Sequence, residues 1–280
     1  MNRYLNEKDI KPLILLALKE DIGRGDITSN AIFNRSNKSS AIIKAKENGI
    51  LCGGEIVRYI YNEIDRNVNI DILKKDGERV LENEEVIIIK GNTSSILSGE
   101  RTALNFLARM SGIATKTNRI CSLLNKRSII LLDTRKTIPG FRLLDKYSVK
   151  TGGGQNHRFG LYDMVMIKDN HIKAAGSIKM AVDMIKKIHG TRYKIEVETK
   201  TLQEIAEAVE SGADIIMLDN MNINIMKEAI DLIGGKAKIE VSGNINEDNI
   251  KNIIDLKIDY ISMGELTHSV KAFDLSMQFQ

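Results

Sequence analysis

The chain has 280 residues, 42% hydrophobic and 28% charged, with only two prolines, which is the composition of a globular protein large enough for one big α/β domain or two smaller ones. Its 41 basic and 37 acidic residues, net +4, argue against a polyanion-coating protein, and no basic tail or stripe marks a nucleic-acid binder. Cys52 and Cys121 stand alone without a CxxC, and the apolar stretch LILLAL is too short to span a bilayer, so a reduced cytoplasmic compartment with no membrane partner is the expectation.

In chain order, residues 8 to 20 have the spacing of a short helix, and the turn-rich GRGDITS follows. Strand-like pieces come next, SAIIKAKENGILCGG, VNIDILKKDGERV and EVIIIKG, punctuated by Gly and Asn. From Ser94 to Asn125 the pattern is helical, with a break expected at Gly112. This half reads as an α+β domain closed by long helices.

After Arg127 the rhythm changes. IILLDTRK, YDMVMIKD, YKIEVETK, ADIIMLDN, AKIEVSGN and DYISMGEL are strand candidates, with helical spacing between them in LQEIAEAVESGA and INIMKEAIDLIGG. Strand then helix, six times over, predicts a parallel sheet. Nearly every strand ends in a polar or charged group, which favours a (β/α) barrel over an open doubly wound sheet, because barrel sites gather at the carboxyl ends of the strands.

Strand parity sorts the acidic residues. Glu196 and Glu198 share one face against Ile195 and Val197, and Glu240 and Ser242 share one against Ile239 and Val241. Glu196 and Glu240 read as interior structural carboxylates paired with interior cations, whereas Glu198, nearer its strand end, reads as functional. Asp219 closes IIMLD in the same way. Together, Glu198 and Asp219 suit a divalent ion held through oxygen, or sugar hydroxyls; the plainer role for Asp219 is a cap on the next helix. The glycines in SGN (242–244) and MGELTHS (263–269) open loops where backbone N–H groups can approach a phosphate, although each is equally an ordinary turn.

The cations are the stronger signal. Arg135 and Lys136 close the first barrel strand, His157 and Arg158 follow three glycines, and Lys168 closes the second strand. Five potential cations at one barrel mouth repel each other without an anionic ligand. Arg101 falls in a helical stripe with Leu97, Leu104 and Ala108, a place where a charge needs a partner, for instance across a subunit interface. The ligand implied is small, highly anionic and in part a phosphorylated sugar.

The segments ALKEDIGRGDITS, ERTALNFLARMSGIAT, LDTRKTIPGFRLLDKYSVKTGGGQNHRFGLYDMVMIKDNHI, IEVET, IIMLDN, EVSGNI and SMGELTHS together resemble the quinolinate phosphoribosyltransferases, over about residues 15–270. Glu265 stands where small residues also occur in that family. The resemblance implies an N-terminal α/β sandwich (1–112), an incomplete (β/α) barrel of about six to seven parallel strands (113–267) and a C-terminal tail (268–280) returning to the first domain. It implies the reaction of quinolinate with phosphoribosyl pyrophosphate to nicotinate mononucleotide, pyrophosphate and CO2, with Mg2+, in a head-to-tail homodimer; whether dimers assemble into hexamers is left open. Quinolinate would be held by Arg135, His157, Arg158 and Lys168, with Arg101 from the neighbouring subunit. Phosphoribosyl pyrophosphate would meet Thr134, Lys136, Glu198, Asp219, Ser242, Gly243, Asn244, Met263 and Gly264, with Glu198 and Asp219 also binding the metal; Lys136, Lys168, Glu198 and Asp219 would be catalytic. The alternatives are a molybdenum-associated paralogue on the same scaffold, a Schiff-base aldolase working through Lys168, and a non-catalytic phosphoribosyl pyrophosphate-binding regulator.

Overall fold

The structure is a computed structural model and describes residues 5–124 and 127–280. Asn125, the expected end of the long helical segment, lies outside them. Two compact units interleave along the chain: Met1–Arg119, Thr137–Gly153 and Leu266–Gln280 form one, Ile120–Lys136 and Gly154–Glu265 the other.

The first unit is built on an antiparallel sheet. Its strands are β1 (Lys38–Ala45), β3 (Asn69–Ile72), β5 (Glu85–Asn92) and β12 (Leu275–Phe279), in the order β12-β1-β5-β3; β2 (Gly49–Ile50) and β4 (Arg79–Val80) pair beside it. β-branched residues set the register: Ile43 lies opposite Ile87, and Ala41 opposite Ile89, all buried. Helix α1 (Glu7–Ile22) covers the predicted 8–20 segment and is capped by Asn6. Helix α3 (Gly54–Ile64) turns Ile56, Val57, Ile60 and Tyr61 to the core, and the buried Tyr61 hydroxyl donates to Ile96 O at 2.9 Å. A short helix α2 (Ile27–Ile32) lies between α1 and β1.

Helix α4 (Thr93–Leu124) runs 32 residues without the break expected at Gly112. The glycine serves packing instead. A Cβ there would sit 2.2 Å from the carbonyl oxygen of Lys271, so the missing side chain lets the C-terminal segment lie against the helix. That segment ends in β12, which pairs antiparallel with β1. Helix α5 (Arg142–Thr151) also belongs to this unit.

The second unit is a six-stranded parallel sheet. Its strands are β6 (Ile130–Leu132), β7 (Val165–Ile167), β8 (Ile195–Thr199), β9 (Ile215–Asp219), β10 (Lys238–Ser242) and β11 (Tyr260–Ser262), in the order β6-β11-β10-β9-β8-β7. All six strand candidates of the sequence are present. The sheet does not close between β6 and β7; a single parallel bridge, Leu132 to Gln155, extends it beyond β6. This is an incomplete (β/α) barrel. Helices α6 (Asp169–Ala175), α7 (Ile178–His189), α8 (Leu202–Glu210) and α9 (Ile223–Ile233) connect β7, β8, β9 and β10, and a one-turn α10 (Glu265–His268) follows β11. Each of α7, α8 and α9 buries one apolar stripe: Ile178, Ala181 and Val182; Ile205 and Ala208; Met226, Ala229 and Ile233.

Strand then helix does not recur six times, however. After β10 only a 3-10 turn, Ile250–Asn252, forms. Asn246 Oδ1 accepts from the backbone N–H of Asp248 and Asn249, and Asn249 Oδ1 accepts from Asn246 N, so side chains take the donors a helix would use.

Candidate active site

Parallel strands in one sheet end on one edge, and that edge collects the chemistry of the second unit. β6 leads into Thr134, Arg135 and Lys136; β7 into Lys168, the N-cap of α6; β8 carries Glu198, β9 ends in Asp219, and β10 in Ser242; Met263 and Gly264 follow β11. The run 154–158 returns beside β6 through the Leu132–Gln155 bridge and brings His157 and Arg158 to the same region.

Contacts within this edge are specific. Lys168 Nζ donates to Glu198 Oε2 in a tight ion pair, with Glu198 largely buried. Arg158 is buried, not displayed on an open loop as its glycine-rich setting suggests, and its guanidinium donates to Met164 O at 3.1 Å. Burial, then the neighbouring Arg135 charge, pushes its pKa below the ordinary arginine value, with Glu196 and Asp163 opposing. A guanidinium stays charged in proteins, so two like charges are held close in a partly dehydrated place. Such a pair suits a carboxylate ligand.

At β9 and β10 the loops interlock. Gly243 has φ +95°, and a Cβ on it would lie 2.4 Å from the Asn220 side chain, so only glycine fits. Asn220 Nδ2 donates to Asp219 Oδ1 at 3.0 Å and its Oδ1 accepts from Asn244 Nδ2 at 2.9 Å. Asn220 and Asn244 themselves hold positive φ, 55° and 49°. Asp219 is therefore oriented by its neighbour and does not cap the next helix, a task performed by Asn222.

Beneath the strand ends lie Glu196 and Glu240, both fully buried as their parity implies. Their interior partner is His157: Nε2 is 3.0 Å from Glu196 Oε2 and 3.7 Å from Glu240 Oε2. Burial first, and then the Glu196 charge, pushes the Glu240 carboxyl up to about 7, with His157 partly opposing. These three side chains bring ligand-type atoms within 4.8 Å of one another. Sequence reasoning missed Asp133, a buried carboxylate whose Oδ1 accepts from His157 N at 2.9 Å and whose Oδ2 accepts from Asn156 Nδ2 at 2.6 Å. The signal was present in its position, directly after an apolar strand and before TRK.

Arg101 belongs to the first unit. It is exposed on α4 and has no acidic partner among the described residues, although Leu104 of its stripe is buried.

Comparison with known proteins fits this edge. The family model for quinolinate phosphoribosyl transferase, N-terminal domain, matches residues 26–111, and that for the C-terminal domain matches residues 113–278. The chain belongs to the quinolinate phosphoribosyltransferase family. A similar relative, the probable nicotinate-nucleotide pyrophosphorylase (carboxylating) of Bacillus subtilis (strain 168), is 42% identical over 98% of this chain and 94% of its own length. The quinolinate phosphoribosyltransferase (decarboxylating) 2, mitochondrial, of Nicotiana glauca is 40% identical over 96% of this chain and 82% of its own. Among family structures, the nicotinate-nucleotide pyrophosphorylase from Francisella tularensis superposes with a TM-score of 0.94 at 42% identity, covering 99% of this chain and 98% of that one. These relatives carry family names that match the main reading and none of the alternatives. No helix among the described residues is long and apolar enough to cross a membrane.

Proposed function

We propose that this chain transfers the phosphoribosyl group of phosphoribosyl pyrophosphate to quinolinate, with release of pyrophosphate and CO2, giving nicotinate mononucleotide for NAD biosynthesis. The family match along residues 26–111 and 113–278 carries this reading.

The pocket chemistry supports an assignment of roles. Arg135, His157, Arg158 and Lys168 hold the two carboxylates of quinolinate, joined by Arg101 of a second subunit in a cytoplasmic homodimer. Thr134 and Lys136 meet phosphate or pyrophosphate oxygens. Ser242, Gly243, Asn244, Met263 and Gly264 receive the 5′-phosphate, where the positive φ of Gly243 lets backbone approach an anion closely. Glu198 and Asp219 bind the ribose hydroxyls and Mg2+.

The residues fit that metal. Glu198 and Asp219 offer hard carboxylate oxygens on adjacent strands, β8 and β9, and each uses one oxygen in a hydrogen bond to Lys168 or Asn220 while the other stays available. Mg2+ is commonly bound by one or two carboxylates together with substrate phosphates. Bound there, it would offset the negative charge on the leaving pyrophosphate.

The chain's own work is positioning and charge. Departure of pyrophosphate leaves positive charge on the ribose ring, and the Arg–Lys pocket sets the pyridine nitrogen in line to capture it. The ring nitrogen is then cationic and stabilises, by its adjacent positive charge, the electron pair left on carbon 2 when the carboxylate there leaves as CO2; a proton taken up at that carbon completes the product. Lys168, already neutralised by Glu198, binds that region without holding the carboxylate as a free ammonium would.

Substituting Arg158→Lys retains the charge and loses the planar fork. We expect kcat/KM for quinolinate to fall by roughly 10- to 150-fold, the equivalent of about 1.5–3 kcal/mol for a hydrogen bond to a charged group, with far-ultraviolet circular dichroism unchanged. Unchanged quinolinate kinetics would remove Arg158 from the site.

A further inference from the structure

Two ion pairs bridge the ends of β7 and β8, which lie side by side with Ile167 opposite Val197. The more buried one is Lys168 with Glu198, already placed in the site. The second reverses the charges: Lys200 Nζ donates to Asp169 Oδ2 at 3.1 Å. Lys200 lies two residues beyond Glu198 on the same edge of the sheet. Its hydrogen bond to Asp169, then the Asp169 charge and, more weakly, the nearby Glu198 and Asp219 carboxylates hold its ammonium above the ordinary lysine range, with a little desolvation opposing. The backbone of Lys200 is fixed, because its N–H donates to Glu204 Oε2 at 2.6 Å, beside the capping box that starts α8. Its head group is less constrained. The Lys200 and Asp169 side chains are 49% and 42% exposed, and among the described residues the ammonium uses one of its three N–H donors. An exposed pair of this kind contributes little to stability, so its place beside Glu198 and Asp219 is the informative feature.

We infer that Lys200 is a further substrate-binding residue of this edge, one that meets the pyrophosphate group of phosphoribosyl pyrophosphate, and that Asp169 holds its ammonium at the strand ends until that anion arrives. The identity of the substrate rests on the phosphoribosyl transfer reading. The argument is one of charge. Glu198 and Asp219 balance the charge of the Mg2+ they would hold, so the pyrophosphate charge is left for the protein's cations. Lys168 is neutralised by Glu198, and Lys200 is the cation that directly follows the strand bearing Glu198, beside the strand bearing Asp219. A phosphate group presents more negative charge than the Asp169 carboxylate, so the ammonium exchanges one acceptor for a stronger one, or bridges both with its remaining donors. Asp169 thus competes with pyrophosphate for Lys200, and the two residues of the pair have opposite effects on anion binding.

Titration calorimetry with inorganic pyrophosphate and Mg2+ tests this without any turnover. Lys200→Gln should weaken pyrophosphate binding about 5-fold or more, the scale of a partly exposed ion pair with a multiply charged anion. Asp169→Asn removes the competing carboxylate and should tighten binding about 2-fold or more at low ionic strength, with the gain shrinking as salt is raised. Both side chains are exposed, so both variants should fold as the wild type does. A pair that merely ties two loops together would give losses of the same sign in the two variants. Unchanged binding in Lys200→Gln, binding no tighter in Asp169→Asn, or no binding by the wild type would each overturn the inference. In turnover, Lys200→Gln should raise KM for phosphoribosyl pyrophosphate about 5-fold or more and leave KM for quinolinate within about 2-fold; the reverse split would also overturn it. Wild-type protein and variants that bind pyrophosphate in the expected order, yet form no nicotinate mononucleotide, would refute the transfer reading and leave Lys200 as a pyrophosphate contact.

Discussion

Nicotinate, which lacks the carboxylate at ring position 2, is expected to be turned over at least ~100-fold more slowly than quinolinate, as measured by kcat/KM with phosphoribosyl pyrophosphate saturating. The reason lies in the site's own charges. Arg158 is buried and stands near Arg135, and burial and that neighbouring charge both disfavour its cationic form. A dicarboxylate relieves both penalties; a monocarboxylate leaves one buried donor group unpaired, and an unpaired buried charge loses its full desolvation cost. Comparable turnover of the two acids would show that the guanidinium pair does not read the second carboxylate.

A second large effect follows from the exposure of Arg101. The residue sits on α4 of the first unit without an acidic partner among the described residues, so Arg101→Ala should leave the fold intact. If it completes the pocket of a second subunit, Arg101→Ala and Glu198→Ala should each be nearly inactive as separate homodimers. Mixed dimers differ. The site on the Arg101→Ala chain retains its own Glu198 and receives an intact Arg101, while the opposite site carries both defects. Random assembly of equal amounts makes about half of the dimers mixed, each with one good site in two, so about a quarter of wild-type activity should return. Differently tagged chains verify the exchange. Tagged heterodimers that stay as inactive as the separate variants would place Arg101 in its own chain's site or outside any.

The parallel half of this fold is legible because each strand is a short apolar run closed by a polar group. IIMLD and KIEVS became β9 and β10 as read, and the parity that buried Glu196 and Glu240 held. Two features were not legible. The Gly112 break fails because a glycine's role depends on what packs on it, here the distant carbonyl of Lys271. The missing helix after β10 depends on asparagine side chains taking backbone donors, a local competition that helical spacing does not register. Strand ends placed Glu198, Asp219 and Lys168 on one edge, whereas the His157–Glu196 contact and the Asp133 and Asn220 braces depend on three-dimensional pairing.

The most direct measurement is product analysis with quinolinate labelled in the carboxyl group at position 2, incubated with phosphoribosyl pyrophosphate and Mg2+. One nicotinate mononucleotide and one labelled CO2 should form for each pyrophosphate released, and omission of quinolinate should abolish pyrophosphate release. Pyrophosphate release without labelled CO2, or no nucleotide formed from quinolinate, would contradict the account.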